Sequence, residues 1–177
     1  MNIYKVLSDD HEKVKMLLTE LIGLNDRDTE RRTELIAEIR DELIPHARAE
    51  EAVFYNSLRM IDASKSIAMH GYAEHLEAEG LFRALQAMDK LDTTWKATAK
   101  KLKNALEEHI REEESEMFSA ARQLFTEEEA VAMAETFEAM KPKIREEGLM
   151  KTTLDMVANL MPPRFSEKFK NFNLSQH

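Results

Sequence analysis

The sequence contains no cysteine and, in 177 residues, only four glycines and four prolines. Glycine and proline together usually make up about 12% of a protein and supply most turns and helix stops. A sandwich or barrel needs a turn every ten residues or so, so all-β architectures are excluded and repeated βαβ units disfavoured. The missing cysteine removes disulfides, thiolate-bound zinc and iron–sulfur clusters. Basic excess is also lacking: 25 Lys and Arg against 34 Asp and Glu give a formal charge of −9. That balance argues against nucleic acid and anionic membrane surfaces as partners. No apolar run approaches the roughly 18 residues of a membrane span, and the N-terminus has no signal-peptide core. The expected compartment is the cytoplasm.

What remains is an all-α chain. Apolar residues recur at steps of three and four through most of its length. The pattern predicts helices over about 3–24, 28–60, 63–89 and 93–124, with short connections, in an up-down-up-down four-helix bundle. Residues 1–124 form this bundle domain, and 125–177 a helical extension packing on it, with a short polar tail. In the extension, Thr126 and Glu129 have the spacing of a capping box. That fifth helix is expected to end near Lys141-Pro142, and a sixth amphipathic stretch covers about 145–161. There is no internal repeat of primary sequence and no low-complexity tract.

The inward stripes carry polar residues where the core should be. The first helix gives Tyr4, Leu7, His11, Val14, Leu18 and Leu21; the second gives Ile39, Leu43, His46, Glu50, Val53 and Ser57. The third gives Ala68, Tyr72, His75, Glu79, Phe82 and Leu85, and the fourth Leu102, Leu106, His109, Glu113, Met117 and Ala120. Each stripe has one histidine near its middle, and three add a glutamate four residues on, on the same helix face. At about 1.5 Å of rise per residue, the depths of the four histidines agree to within about one turn. A lone histidine on an apolar stripe is usually a hydrogen-bonded core residue. Three buried carboxylates at one level cost several kcal/mol each without cations, which makes a metal layer the better reading. Nitrogen and carboxylate ligands without sulfur suit Fe, Mn or Zn, and seven candidates suit a bridged pair better than one tetrahedral ion. The Glu-x-x-His spacing of ferritin-like bundles is absent.

These residues resemble the hemerythrin family, specifically the hemerythrin-like HHE cation-binding domain. The matching pieces are Asp10-His11-Glu12, His46 to Glu51 followed by Phe54, Glu74-His75, and His109 to Glu114 followed by Met117-Phe118. The resemblance covers about residues 1–124. It implies a non-heme di-iron site with oxo-type and carboxylate bridges, with Mn or Zn as substitutes. His11, His46, His75 and His109 would be terminal ligands, and Glu50 and Glu113 would bridge. Oxygen carriers of the family have His-x-x-x-His in the third helix, where this chain has Glu79 as a candidate ligand. They place a fourth-helix carboxylate five residues after its histidine, which makes Glu114 the alternate to Glu113. A carboxylate in place of imidazole favours ferric iron. That points from reversible carriage towards reaction with O2, peroxide or nitric oxide, in sensing or stress defence. Oxidase- or peroxidase-like activity would fit such a centre. The alternative is a non-enzymatic protein for iron storage, sensing or delivery. Iron–sulfur repair domains of this kind carry a Cys-containing extension, absent from this sequence.

Other positions have plainer expectations. Pro45 should either kink the second helix and aim His46, or break it into two. Tyr4, Tyr55 and Tyr72 are expected mainly to pack, and Glu74 either to relay protons or admit iron, or to lie on a solvated face. His70 and His177 lie off the stripes and are not expected to be ligands. Met150, Met156 and Met161 suit gap filling on helices that could cap the bundle or form a homodimer face.

Overall fold

The computed structural model describes residues 1–89 and 92–147, and these contain helices and no strand. The first helix is Ile3–Gly23, begun by the Asn2 side chain accepting from the Lys5 amide at 3.3 Å. The second runs Thr29–Glu50 and continues through a π-helical stretch, Glu51–Tyr55, into a last turn, Asn56–Arg59. A short 3₁₀ turn, Asp62–Ser64, leads to the third helix, Lys65–Ala87. The fourth is Trp95–Glu112, again continued by a π-helical stretch, Glu113–Met117, and then Phe118–Leu124. The four helices form the expected bundle with short connections.

The fifth helix, Glu127–Glu147, packs against the first and second. Its capping box is formed in both directions. The Glu129 amide donates to Thr126 Oγ1 at 3.2 Å, and the Thr126 amide donates to Glu129 Oε2 at 2.9 Å. The helix does not stop at Lys141-Pro142; it passes through Pro142 and takes in Arg145. Proline's clash and lost hydrogen bond fall on a helix that is anchored on both sides of it, by buried Met140 and Ile144. The expected sixth stretch, the polar tail and the Met150, Met156 and Met161 cluster otherwise lie outside the described residues.

The second helix likewise runs unbroken through Pro45. Proline has no N–H, so the Asp41 carbonyl loses its usual intrahelical donor. Arg145 of the fifth helix fills the vacancy, donating to that carbonyl from Nη2 at 2.8 Å and Nε at 3.1 Å. A long-range guanidinium thus stabilises the kink-prone turn just before His46.

The core is divided. One apolar cluster holds Val14, Leu18, Leu21, Leu35, Ile39, Phe82, Leu85, Trp95 and Leu102. The other holds Ile3, Leu7, Phe54, Tyr55, Phe118 and, from the fifth helix, Met133, Phe137 and Met140. Between them lies a polar layer of buried His and Glu. Phe137 is fully buried and meets the His46 ring edge-on, with centroids 5.6 Å apart. Phe137→Ala should therefore cost about 3–5 kcal/mol in chemical denaturation. A loss below about 1 kcal/mol would mean that the fifth helix is peripheral to the core.

Candidate metal centre

The polar layer brings together six of the seven ligands expected from the stripes. His11, His46, His75 and His109 are at most 6% exposed, Glu113 is 1% exposed and Glu50 has no exposure. His11, His46 and Glu50 can present ligand atoms within 4.8 Å of one another, and so can Glu50, His75 and His109. Glu50 therefore belongs to both groups. Its Oε2 lies 3.3 Å from His46 Nε2 and 3.4 Å from His75 Nε2. Glu113 spans the same halves on the opposite side, with Oε2 3.4 Å from His11 Nε2 and 3.5 Å from His109 Nε2.

The layer fits cations. All four oxygens of Glu50 and Glu113 and the Nε2 of His11 are buried without any hydrogen-bond partner. Such atoms cost free energy unless a partner fills the space between them. Two halves of nitrogen and oxygen donors, each reached by both carboxylates, form a ligand set suited to metal cations.

Each histidine is oriented from behind. His11 Nδ1 meets Glu114 at 2.9 Å, His46 Nδ1 meets Asp10 at 3.1 Å, His75 Nδ1 meets Glu51 at 3.1 Å, and His109 Nδ1 meets Glu74 at 2.9 Å. A carboxylate can only accept, so each Nδ1–H donates, which directs each Nε2 towards the axis. The pairings form a closed ring, running from the first helix to the second, third, fourth and back to the first. Neighbouring residues differ by about 100° around a helix, so the residue beside a ligand faces the adjoining helix. On the first and third helices that residue precedes the ligand histidine; on the antiparallel second and fourth it follows the ligand glutamate. Reversing the chain direction reverses the sense of rotation, which keeps the ring turning one way.

This ring places Glu114 behind His11 and leaves Glu113 in the layer. It also gives Glu74 a partner in the interior. Outside the ring, Lys141 of the fifth helix holds Asp10 at 2.8 Å, and Arg48 holds Glu51 at 3.1 Å. The second and fourth helices share the pattern His-x-Arg-x-Glu-Glu, and the first and third share an acid followed by His. The ring thus reveals a local duplication, although the sequence shows no extended repeat.

Glu79 is the exception. Its carboxylate is held by Arg48 of the second helix and Arg83 one turn along its own helix, away from the two ligand groups. The spacing from His75 correctly puts it on that face of the helix. A guanidinium from the neighbouring helix then captures it.

Tyr55 comes close in its place. Its hydroxyl is 3.3 Å from His75 Nε2 and 3.4 Å from His109 Nε2, and the residue is fully buried. A Cβ on Gly71 would lie 2.8 Å from Tyr55 Cζ, so the missing side chain makes room for the ring. Tyr72 does not enter the layer; its hydroxyl reaches the Glu51 carbonyl at 2.9 Å.

In the metal-free protein, burial disfavours charge on His11, but Glu113 and Glu114 outweigh it and push the imidazole up to about 10. His75 follows the same logic, with burial overcome by Glu50 and Glu51, to about 9. Burial lowers His109, against the pull of Glu74. Burial and then the Glu50 charge raise the Glu113 carboxyl well above the carboxylate range. Glu50 is held well below it, because its contacts with Glu113, His46 and His75 outweigh burial. Burial, then the charges of Glu113 and Glu50, push the Tyr55 phenol up.

Two outcomes follow. The raised His11 and His75 contribute stability to metal-free protein that is complete below their ordinary value of 6.5 and lost as pH rises through about 9 to 10. Metal-free protein should therefore show a falling melting temperature over that range, and metal-loaded protein a smaller fall; equal falls would refute the assignment. Gly71→Ala should cost about 1–3 kcal/mol by forcing Tyr55 from its place, and an unchanged denaturation midpoint would refute the close packing.

Comparison with known proteins points to the same fold and to cation binding. Residues 2–121 match the family described as the hemerythrin HHE cation binding domain. A protein of Nostoc sp. (strain PCC 7120 / SAG 25.82 / UTEX 2576) named as a DNA nickase is 32% identical over 146 residues, which is 82% of this chain. The match spans only 41% of that relative's length. The crystal structure of an HHE cation-binding domain protein from Mycobacterium kansasii superposes with a TM-score of 0.72 at 26% identity, covering 89% of this chain and 98% of that one. Among the described residues no helix is long and apolar enough to cross a membrane. The match to the family model extends over two thirds of the sequence, and the chain belongs to the hemerythrin HHE cation-binding domain family.

Proposed function

We propose that this domain holds two iron ions and uses them to react with a small oxidant or diatomic ligand: O2, peroxide or nitric oxide. The buried, unpartnered oxygens of Glu50 and Glu113 carry the reading, because they reach both halves of the histidine layer. His11 and His46 would hold one ion, and His75 and His109 the other, with the two carboxylates shared between them. The ions would supply one-electron redox chemistry and open positions for a ligand. The protein's own part is to direct each Nε2 towards the axis through the carboxylate ring, to exclude bulk water, and to keep the Tyr55 hydroxyl beside His75 and His109.

The size of the free space supports a small ligand. A cavity of about 20 Å³ is lined by all four histidines together with Val14, Leu43, Leu106 and Ile110. That is room for about one water-sized molecule, against an apolar wall. The DNA nicking named for the cyanobacterial relative is not carried over to this chain. The match spans less than half of that protein, and the charge of −9 opposes phosphate binding. The closed layer also favours a resident redox centre over iron storage or delivery, which requires ready release.

Protein prepared anaerobically with ferrous iron should retain about two ions per chain, consistent with a two-metal site, and change its optical spectrum on adding O2 or nitric oxide. Glu50→Gln and Glu113→Gln should each lower the retained metal, while Glu79→Gln should leave it unchanged. Full metal retention in both Glu50→Gln and Glu113→Gln, with folding intact, would overturn the shared-carboxylate reading.

A further inference from the structure

Among the described residues the four layer histidines are at most 6% exposed and Glu50 and Glu113 at most 1%, so ions reach the layer past a boundary of side chains. One boundary residue faces both ways. Glu74 Oε2 accepts from His109 Nδ1 at 2.9 Å, while its Oε1 lies 3.4 Å from His70 Nε2 on the surface. His70 Nε2 is also 3.2 Å from Glu112 Oε2. His70, Glu74 and Glu112 can present three ligand atoms within 4.8 Å of one another, and the side chain of His70 is 60% exposed.

We propose that His70, Glu74 and Glu112 form a surface site for a divalent cation that loads the buried centre through Glu74. One imidazole and two carboxylates are a ligand set for a first-row divalent ion with positions left for water. Glu112 turns its other oxygen, Oε1, to Arg111 at 3.1 Å, which leaves Oε2 for the ion. Glu74 reaches His109 with one oxygen and the surface site with the other, so a single carboxylate joins the two. The two sides of the ring differ in a way that suits this direction. The carboxylates behind His46 and His75 are neutralised by Lys141 and Arg48, whereas Glu74 pairs only with His109 and His70 among the described residues. An arriving cation meets fixed positive charge on the Glu50 side and an anionic path at Glu74.

The inference rests on the buried centre holding metal, and the test separates the two. His70→Ala and Glu112→Gln leave every residue of the layer and its ring intact. The metal-free 177-residue chain is mixed with Co²⁺, loading is followed optically, and retained metal is counted after desalting. The variants should load about tenfold more slowly than the parent, on the scale of electrostatic steering, and retain the same final amount. Substoichiometric Zn²⁺ should also shift the His70 ring resonances before those of the four layer histidines. Parent-like loading in both variants, or a His70 signal that does not respond, would overturn the surface site alone. Failure of the parent protein to retain metal would overturn the buried centre and the loading role with it.

Discussion

Two carboxylates, Glu50 and Glu113, lie fully inside the bundle with no donor to satisfy them. The remaining architecture is arranged around that pair. Burying one such group unpaired costs several kcal/mol, and burying two side by side costs more because their charges repel. In the metal-free protein the conflict is partly relieved by protons, on Glu113 and on raised histidines. Cations would relieve it fully. The charge on this layer is therefore a standing affinity for metal, obtained by folding four helices to one common level.

The ring of outer carboxylates makes that level precise. Each histidine is fixed by the helix next to its own, so no helix can rotate without disturbing a neighbour. The π-helical stretches begin just after Glu50 and at Glu113 itself. There two successive glutamates do different work, one in the layer and the next behind a histidine. Wider helical turns of this kind often mark functional sites.

Much of this was legible in the residue order. The four histidines and the glutamates following His46 and His109 stood out because an apolar 3–4 stripe makes a buried polar residue conspicuous. Glu79 satisfied the same spacing, yet its partner, Arg48, approaches from another helix and leaves no mark on the third-helix pattern. Asp10, Glu51 and Glu74 were not assigned as histidine partners, because an acid just off the stripe looks like solvated surface. Tyr55 was hidden by the π-helical stretch: it sits five residues after Glu50, where a regular helix would turn away. The passage of helices through Pro45 and Pro142 depends on tertiary contacts, above all Arg145 on the Asp41 carbonyl, which local propensity does not register.

The division of the core into two apolar halves has a consequence for assembly. One half draws its residues from Val14 to Leu106, and the other extends from Ile3 to Ile144. During synthesis, the chain supplies all members of the first half before Glu113 has emerged, and the second only after the fifth helix. The polar layer between them is therefore enclosed late, from a half that can pack first. His109, Glu113 and Glu114, which complete the layer and its ring, are made after every apolar member of the first half.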